Sequence, residues 1–168
     1  MSRQVTLRGN PLALDGPELK VGDKAPDATV ASNLGVENKL SEYAGKKRVY
    51  SVVPSVDTPV CAQQTKRFND EAGKIDGVEF YTISMDLPTA QGRFCGAEGI
   101  NKERLHTLSD HKYAEFGKNY GTLIPALRIL SRAVFVVGAD DTLKYVEYVP
   151  EVAEHPNYDA VLEALKTD

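Results

Sequence analysis

The residues of this chain best suited to chemistry are its two cysteines, Cys61 and Cys95. Cys61 ends the segment Pro54-Ser55-Val56-Asp57-Thr58-Pro59-Val60-Cys61. Proline prefers the first position of a helix, so Pro59 predicts a helix start with Thr58 as N-cap and Cys61 as the third helical residue. In that turn the unpaired backbone N–H groups and the positive end of the helix dipole favour an anion, and the thiolate is the reactive form of cysteine. The position therefore suits a nucleophile. A plainer reading takes Thr58-Pro59 as a good cap and Cys61 as a small apolar filler, the usual fate of a buried cysteine. Cys95 lies in Gln91-Gly92-Arg93-Phe94-Cys95-Gly96-Ala97-Glu98-Gly99, which is glycine-rich and without a clear period. That predicts a mobile, exposed loop, where a thiol that must travel to meet another would sit. Taken alone, Cys95 reads as an ordinary free thiol. Arg132 stands just ahead of the apolar run Ala133 to Val137. It is either a strand-end arginine in solvent or a guanidinium that enters the pocket, keeps Cys61 ionised and binds a substrate oxygen.

Other chemistries find little support. The cysteines do not form the Cys-x-x-Cys of a general disulfide oxidoreductase. The histidines, His106, His111 and His155, stand at no metal-ligand spacing from a cysteine or from one another, so no metal is expected. No glycine-rich phosphate loop, His-Glu-x-x-His or Gly-x-Ser-x-Gly is present, and no cofactor is expected. A papain-like pairing of Cys61 with a histidine stays open on spacing but has no fold pattern behind it.

These residues need elements to position them. Gln4 to Leu14 alternates apolar and polar residues around Gly9-Asn10-Pro11 and predicts a small hairpin. Residues 47–53 and 78–85 are rich in β-branched and aromatic types and read as buried strands. Between them Val60, Phe68 and Ala72 mark a helix of about three turns closed by Gly73. Strand, helix and strand make a right-handed βαβ unit with parallel strands. Tyr113, Phe116 and Tyr120 then predict a helix capped by Ser109 or Asp110. Residues 133–137 and 143–149 flank Gly138-Ala139-Asp140-Asp141 as a hairpin, and Tyr158, Val161, Leu162 and Leu165 predict a closing amphipathic helix. The order suits a thioredoxin-like α/β fold, a central mixed sheet flanked by helices with an N-terminal β-hairpin extension. A flavodoxin-like sheet is the alternative.

With 168 residues the chain is read as one domain spanning residues 1–168. Twenty basic against 24 acidic residues, with no basic cluster beyond Lys46-Lys47-Arg48, make nucleic acid an improbable partner. No apolar run approaches the roughly 20 residues needed to cross a bilayer, and nothing near Met1 has the form of a signal peptide. The expectation is a cytoplasmic protein without a membrane partner.

Pro54-x-x-x-Thr58-x-x-Cys61 has the form of the peroxiredoxin active-site motif, and the chain resembles the thiol peroxidase subgroup of atypical two-cysteine peroxiredoxins. The resemblance runs from Thr6-Leu7-Arg8-Gly9-Asn10-Pro11 through Asp86-Leu87-Pro88, Arg93 to Gly99 and Arg132-Ala133-Val134 to Pro156-Asn157-Tyr158. It implies that Cys61 is the peroxidatic and Cys95 the resolving cysteine, that Thr58 and Arg132 activate the peroxide, and that Pro54 shields the site from water. It further implies hydroperoxide substrates, an intramolecular disulfide recycled by thioredoxin, and a homodimer. The sequence departs from the pattern at Thr89, where an aromatic residue is usual, and at Ser131, where alanine is. The βαβ unit predicts that both thiols reach one carboxyl edge of the sheet, with local unwinding needed to join them. Rivals from other classes are a non-catalytic thioredoxin-like interaction domain and a general disulfide oxidoreductase.

Overall fold

The computed structural model describes residues 3–166. The chain opens with β1 (Arg3–Leu7) and β2 (Asn10–Leu14), an antiparallel hairpin. Its turn is Arg8-Gly9, one step earlier than the sequence suggested. Both residues have positive φ (51° and 84°), the backbone of a tight two-residue hairpin loop. A strand pair that the sequence pattern does not announce follows, β3 (Thr29–Asn33) and β4 (Val36–Lys39), leading into a 3-10 turn at Leu40–Tyr43.

Next come β5 (Lys47–Val52), α1 (Pro59–Ala72), β6 (Val78–Ser84), α2 (Pro88–Glu98), β7 (Leu105–Ser109) and α3 (Glu115–Tyr120). The short pair β8 (Leu123–Ile124) and β9 (Ile129–Leu130), the hairpin β10 (Ala133–Val137) and β11 (Leu143–Tyr148), and α4 (Tyr158–Leu165) complete the chain. The main sheet has seven strands in the order β11-β10-β5-β6-β7-β3-β4. β5, β6 and β7 are parallel, as the βαβ reading requires, whereas β10 runs antiparallel to β5 and β3 antiparallel to β7. The sheet is therefore mixed, which removes the flavodoxin-like alternative.

Alternation along the strands divides the core in two. Val49, Phe80, Leu105, Val134 and Val136 face α1 and α4 and pack with Phe68, Ala72, Val161 and Leu165. Tyr50, Val52, Tyr81, Ile83 and Phe135 line the opposite face with Phe116 and Tyr120 of α3. A period of two that buries both faces gives the near-continuous apolar runs seen in β5, β6 and β10.

Two expectations need correction. Residues 88–98 form a helix, not a mobile loop, and Cys95 is only 2% exposed. Its buried residues Pro88, Gln91, Phe94 and Cys95 stand at helical spacing, but one of them is a glutamine, so no apolar period shows. Gly92 and Gly96 face open space, and Gly99 ends the helix in the left-handed conformation (φ 68°) that glycine adopts without strain. The second correction concerns α3. It starts at Glu115, leaving Tyr113 exposed outside it, and Ser109 is the last residue of β7. Asp110 still acts as its cap from a distance, accepting from the N–H groups of Phe116 (3.0 Å) and Gly117 (2.8 Å).

Candidate active site

β5 cannot continue through Pro54, which lacks a backbone N–H, and the chain leaves the sheet in a short loop before α1. Thr58 takes the N-cap position with extended backbone, Pro59 is the first helical residue and Cys61 the third. The Thr58 side chain does not cap the helix. Its hydroxyl donates instead to the Ser55 carbonyl at 3.0 Å, and the Ser55 hydroxyl accepts from the Asp57 N–H at 3.1 Å. Thr58 is exposed, and Pro54 is buried.

Cys61 is fully buried, and Arg132 Nη2 lies 3.1 Å from its Sγ. Arg132 is itself 2% exposed, so the structure discards the solvent-facing reading of that residue. A buried guanidinium needs acceptors on its remaining nitrogens. Nε donates to the Val152 carbonyl (2.9 Å) and Nη1 to Gln64 Oε1 (2.8 Å). Gln64 Nε2 donates in turn to Ser51 Oγ (2.7 Å). This buried chain fixes the fork of the arginine against the sulfur. Gln64 is a site residue that the sequence reading missed. The signal for it was its place three residues after Cys61, hence on the same helix face.

The sulfur's partner is an arginine and not a histidine. His106 pairs with Glu79 (3.1 Å), and His155 Nδ1 lies 2.8 Å from the Tyr158 hydroxyl. Among the described residues no group of three or more His, Cys, Asp or Glu is placed to hold a metal ion. No helix among them is long and apolar enough to cross a membrane.

Cys95 is a free thiol like Cys61 but has a different setting. Burial pushes its thiol up, against weaker opposing effects of the Lys102 ammonium and a hydrogen bond from the Thr107 hydroxyl. It lines a cavity of about 300 Å³ with Tyr43, Tyr81, Lys102 and His106. Of the two departures, Thr89 is exposed in the first turn of α2, whereas Ser131 is buried with its hydroxyl unpartnered.

A mixed thioredoxin-like sheet carrying a first-turn cysteine against a buried arginine defines the peroxiredoxin class of thiol enzymes. The comparisons agree. The model of the family described as Redoxin matches residues 20–162. A thiol peroxidase of Oceanobacillus iheyensis is 55% identical over 161 residues, covering 96% of this chain and 97% of the relative. A crystal structure of a peroxiredoxin-like protein from Aquifex aeolicus superposes with a TM-score of 0.89 at 44% identity, covering 99% of this chain and 97% of that one. A thiol peroxidase from Chromobacterium violaceum shares the fold at 19% identity, with a TM-score of 0.88 over 99% of this chain and 98% of that one. The chain belongs to the Redoxin family and is a thiol-dependent peroxidase. The reading as a non-catalytic interaction domain is thereby set aside.

Proposed function

We propose that Cys61 is the peroxidatic nucleophile and Cys95 the resolving thiol. The Cys61 thiolate attacks the terminal oxygen of a hydroperoxide in line with the O–O bond. An S–O bond forms, the O–O bond breaks, and the departing oxygen takes a proton to leave as water or an alcohol. Cys61 is left as a sulfenic acid, oxidised by two electrons. The Cys95 thiol then condenses with it, forming the S–S bond and releasing water. Exchange with a thioredoxin-type dithiol returns both thiols.

The observation that carries this reading is the 3.1 Å contact from Arg132 Nη2 to Cys61 Sγ inside a site where both groups are buried. The guanidinium is held against the reacting sulfur by its own bonds to the Val152 carbonyl and Gln64. The same cation stabilises charge that develops on the departing oxygen, where one such donor contributes on the order of 3 kcal/mol. To Thr58 we assign activation of the peroxide and to the buried Pro54 the shielding of the site from water.

Substrates are hydrogen peroxide and organic hydroperoxides, the reductant is thioredoxin, and the working unit is a homodimer of one-domain chains spanning residues 1–168. A cytoplasmic setting suits thiols that must be held reduced between turnovers. A general disulfide oxidoreductase is the weaker reading because the two cysteines lie in different helices. One experiment tests the assignment. Reduced protein is mixed with one equivalent of hydrogen peroxide, free thiols are counted and the oxidised peptides mapped. Loss of both thiols into a Cys61–Cys95 pair within one chain is expected. Thiols that survive, or a Cys61-dependent covalent dimer as the main product, overturn it.

A further inference from the structure

The structure holds a second polar assembly beside the site, centred on a residue with no part in the chemistry above. Asp86 follows β6 and directly precedes Leu87, the N-cap of α2. Its Oδ1 accepts from the Ser55 hydroxyl (2.8 Å), and its Oδ2 accepts from the Val56 N–H (2.8 Å) and the Ser84 hydroxyl (2.7 Å). Its backbone carbonyl accepts from the Ser109 hydroxyl. Gln91, in the first turn of α2, donates to Ser84 Oγ (3.0 Å) and to the Leu108 carbonyl (2.9 Å). One carboxylate thus joins the loop before Cys61 to the root of the helix that carries Cys95. We propose that Asp86 is a positioning residue, a latch that holds the two cysteine segments in the arrangement that meets peroxide and yields when the sulfurs join. This rests on the Cys61–Cys95 pairing proposed above.

The geometry explains why a latch is needed at this point. Ser55 also receives the Thr58 hydroxyl on its carbonyl, so fixing Ser55 fixes the N-cap residue of the helix that carries Cys61. The Cys61 sulfur is held by Arg132, and that contact must be left before the two sulfurs reach bonding distance. Carboxylate bonds to N–H and O–H donors are the strong kind and hold both segments until then. The weaker segment is α2. It has two interior glycines, and the Oε1 of Gln91 is buried without a partner, so its attachment is less complete than that of α1. α2 is therefore the part that gives way.

The test compares two steps in the full chain. Wild type, Asp86→Asn and Ser55→Ala are mixed rapidly with hydrogen peroxide and quenched with an alkylating agent. Mass spectrometry then counts thiol, sulfenic acid and disulfide at each time. In Asp86→Asn the amide turns a donor towards the donors that the carboxylate held. Peroxide attack should fall about tenfold, the consequence of losing one hydrogen bond to a charged group. Conversion of sulfenic acid to disulfide should become faster. Ser55→Ala should move both rates in the same directions by less, and it decides the matter should Asp86→Asn fail to fold by circular dichroism. Parallel slowing of both steps, or no change in either, overturns the latch. If wild type itself forms no Cys61–Cys95 pair, the pairing is wrong and the latch falls with it. If wild type forms the pair and the variants show no opposed change, only the latch is wrong.

Discussion

The two cysteines are nearly equal in burial, 0% and 2% exposed, yet only one of them has a fixed cation against its sulfur. Cys61 sits in the first turn of α1 with a guanidinium 3.1 Å away, and that guanidinium is held by Gln64 and the Val152 carbonyl. Cys95 sits in the last turn of α2, where desolvation outweighs the help of Lys102 and Thr107 and its thiol holds its proton. Burial alone makes a thiol inert. What makes it reactive is a fixed positive charge that arrives already paired and aimed.

The largest expected effect separates the two cysteines directly. Cys61→Ser should abolish peroxidase turnover, because a serine hydroxyl is neither ionised near neutrality nor oxidised to a sulfenic acid. Cys95→Ser should consume one equivalent of peroxide and then stall with thioredoxin. A peroxide-consumption assay reads both, and retained turnover in Cys61→Ser would reverse the roles assigned here.

The next effect removes the charge and leaves the sulfur. Arg132→Met should lower the rate of peroxide attack by roughly 10²-fold or more, and Thr58→Val should fall in the same range while Thr58→Ser stays close to wild type. Stopped-flow competition for hydrogen peroxide measures these rates. If Thr58→Val reacts like wild type, the threonine shapes the loop and nothing more.

A smaller effect tests whether aim matters as well as charge. Gln64→Leu leaves Arg132 Nη1 and Ser51 without the partner they share, and attack should slow about tenfold with a loss of roughly 2 kcal/mol in stability. Gln64→Glu keeps the acceptor for Nη1 but sets a carboxylate against the cation and loses the donor to Ser51, so it should not restore the rate. A thermal melt run beside the kinetics separates the two consequences.

The smallest effect concerns a buried ionisable group that takes no part in the proposed chemistry. Burial pushes the Asp110 carboxyl up to about 6, although two backbone N–H groups pull the other way. In the unfolded chain an aspartate titrates near 3.9. The folded state therefore binds the proton more tightly. This contribution is fully present below about pH 4 and is lost as pH rises through about 6. Denaturant titrations at pH 4.5 and 7 should show it, and Asp110→Asn should flatten that part of the pH dependence. An unchanged slope in the variant would mean that the two backbone donors cancel the effect of burial on Asp110.

Features written in consecutive residues were legible before any coordinates. Thr58-Pro59 starts α1 because proline's fixed φ suits the first helical position, and so Cys61 is placed in the first turn by the chain itself. The strands at 47–52, 78–84 and 133–137 follow from β-branched runs, and the βαβ unit follows from their order. Tertiary structure decided the rest. Arg132 meets Cys61 across 71 residues because β10 pairs antiparallel with β5, and only that register puts the guanidinium under the helix. Cys95 is buried because α2 gains from packing what its glycines deny it locally, which no period in residues 91–99 could announce. Asp86 joins Ser55 across 31 residues for the same reason, since the parallel strands β5 and β6 end side by side. Local backbone preference is a property of neighbouring residues in the chain, whereas the partner of a buried polar group depends on which strands lie next to one another.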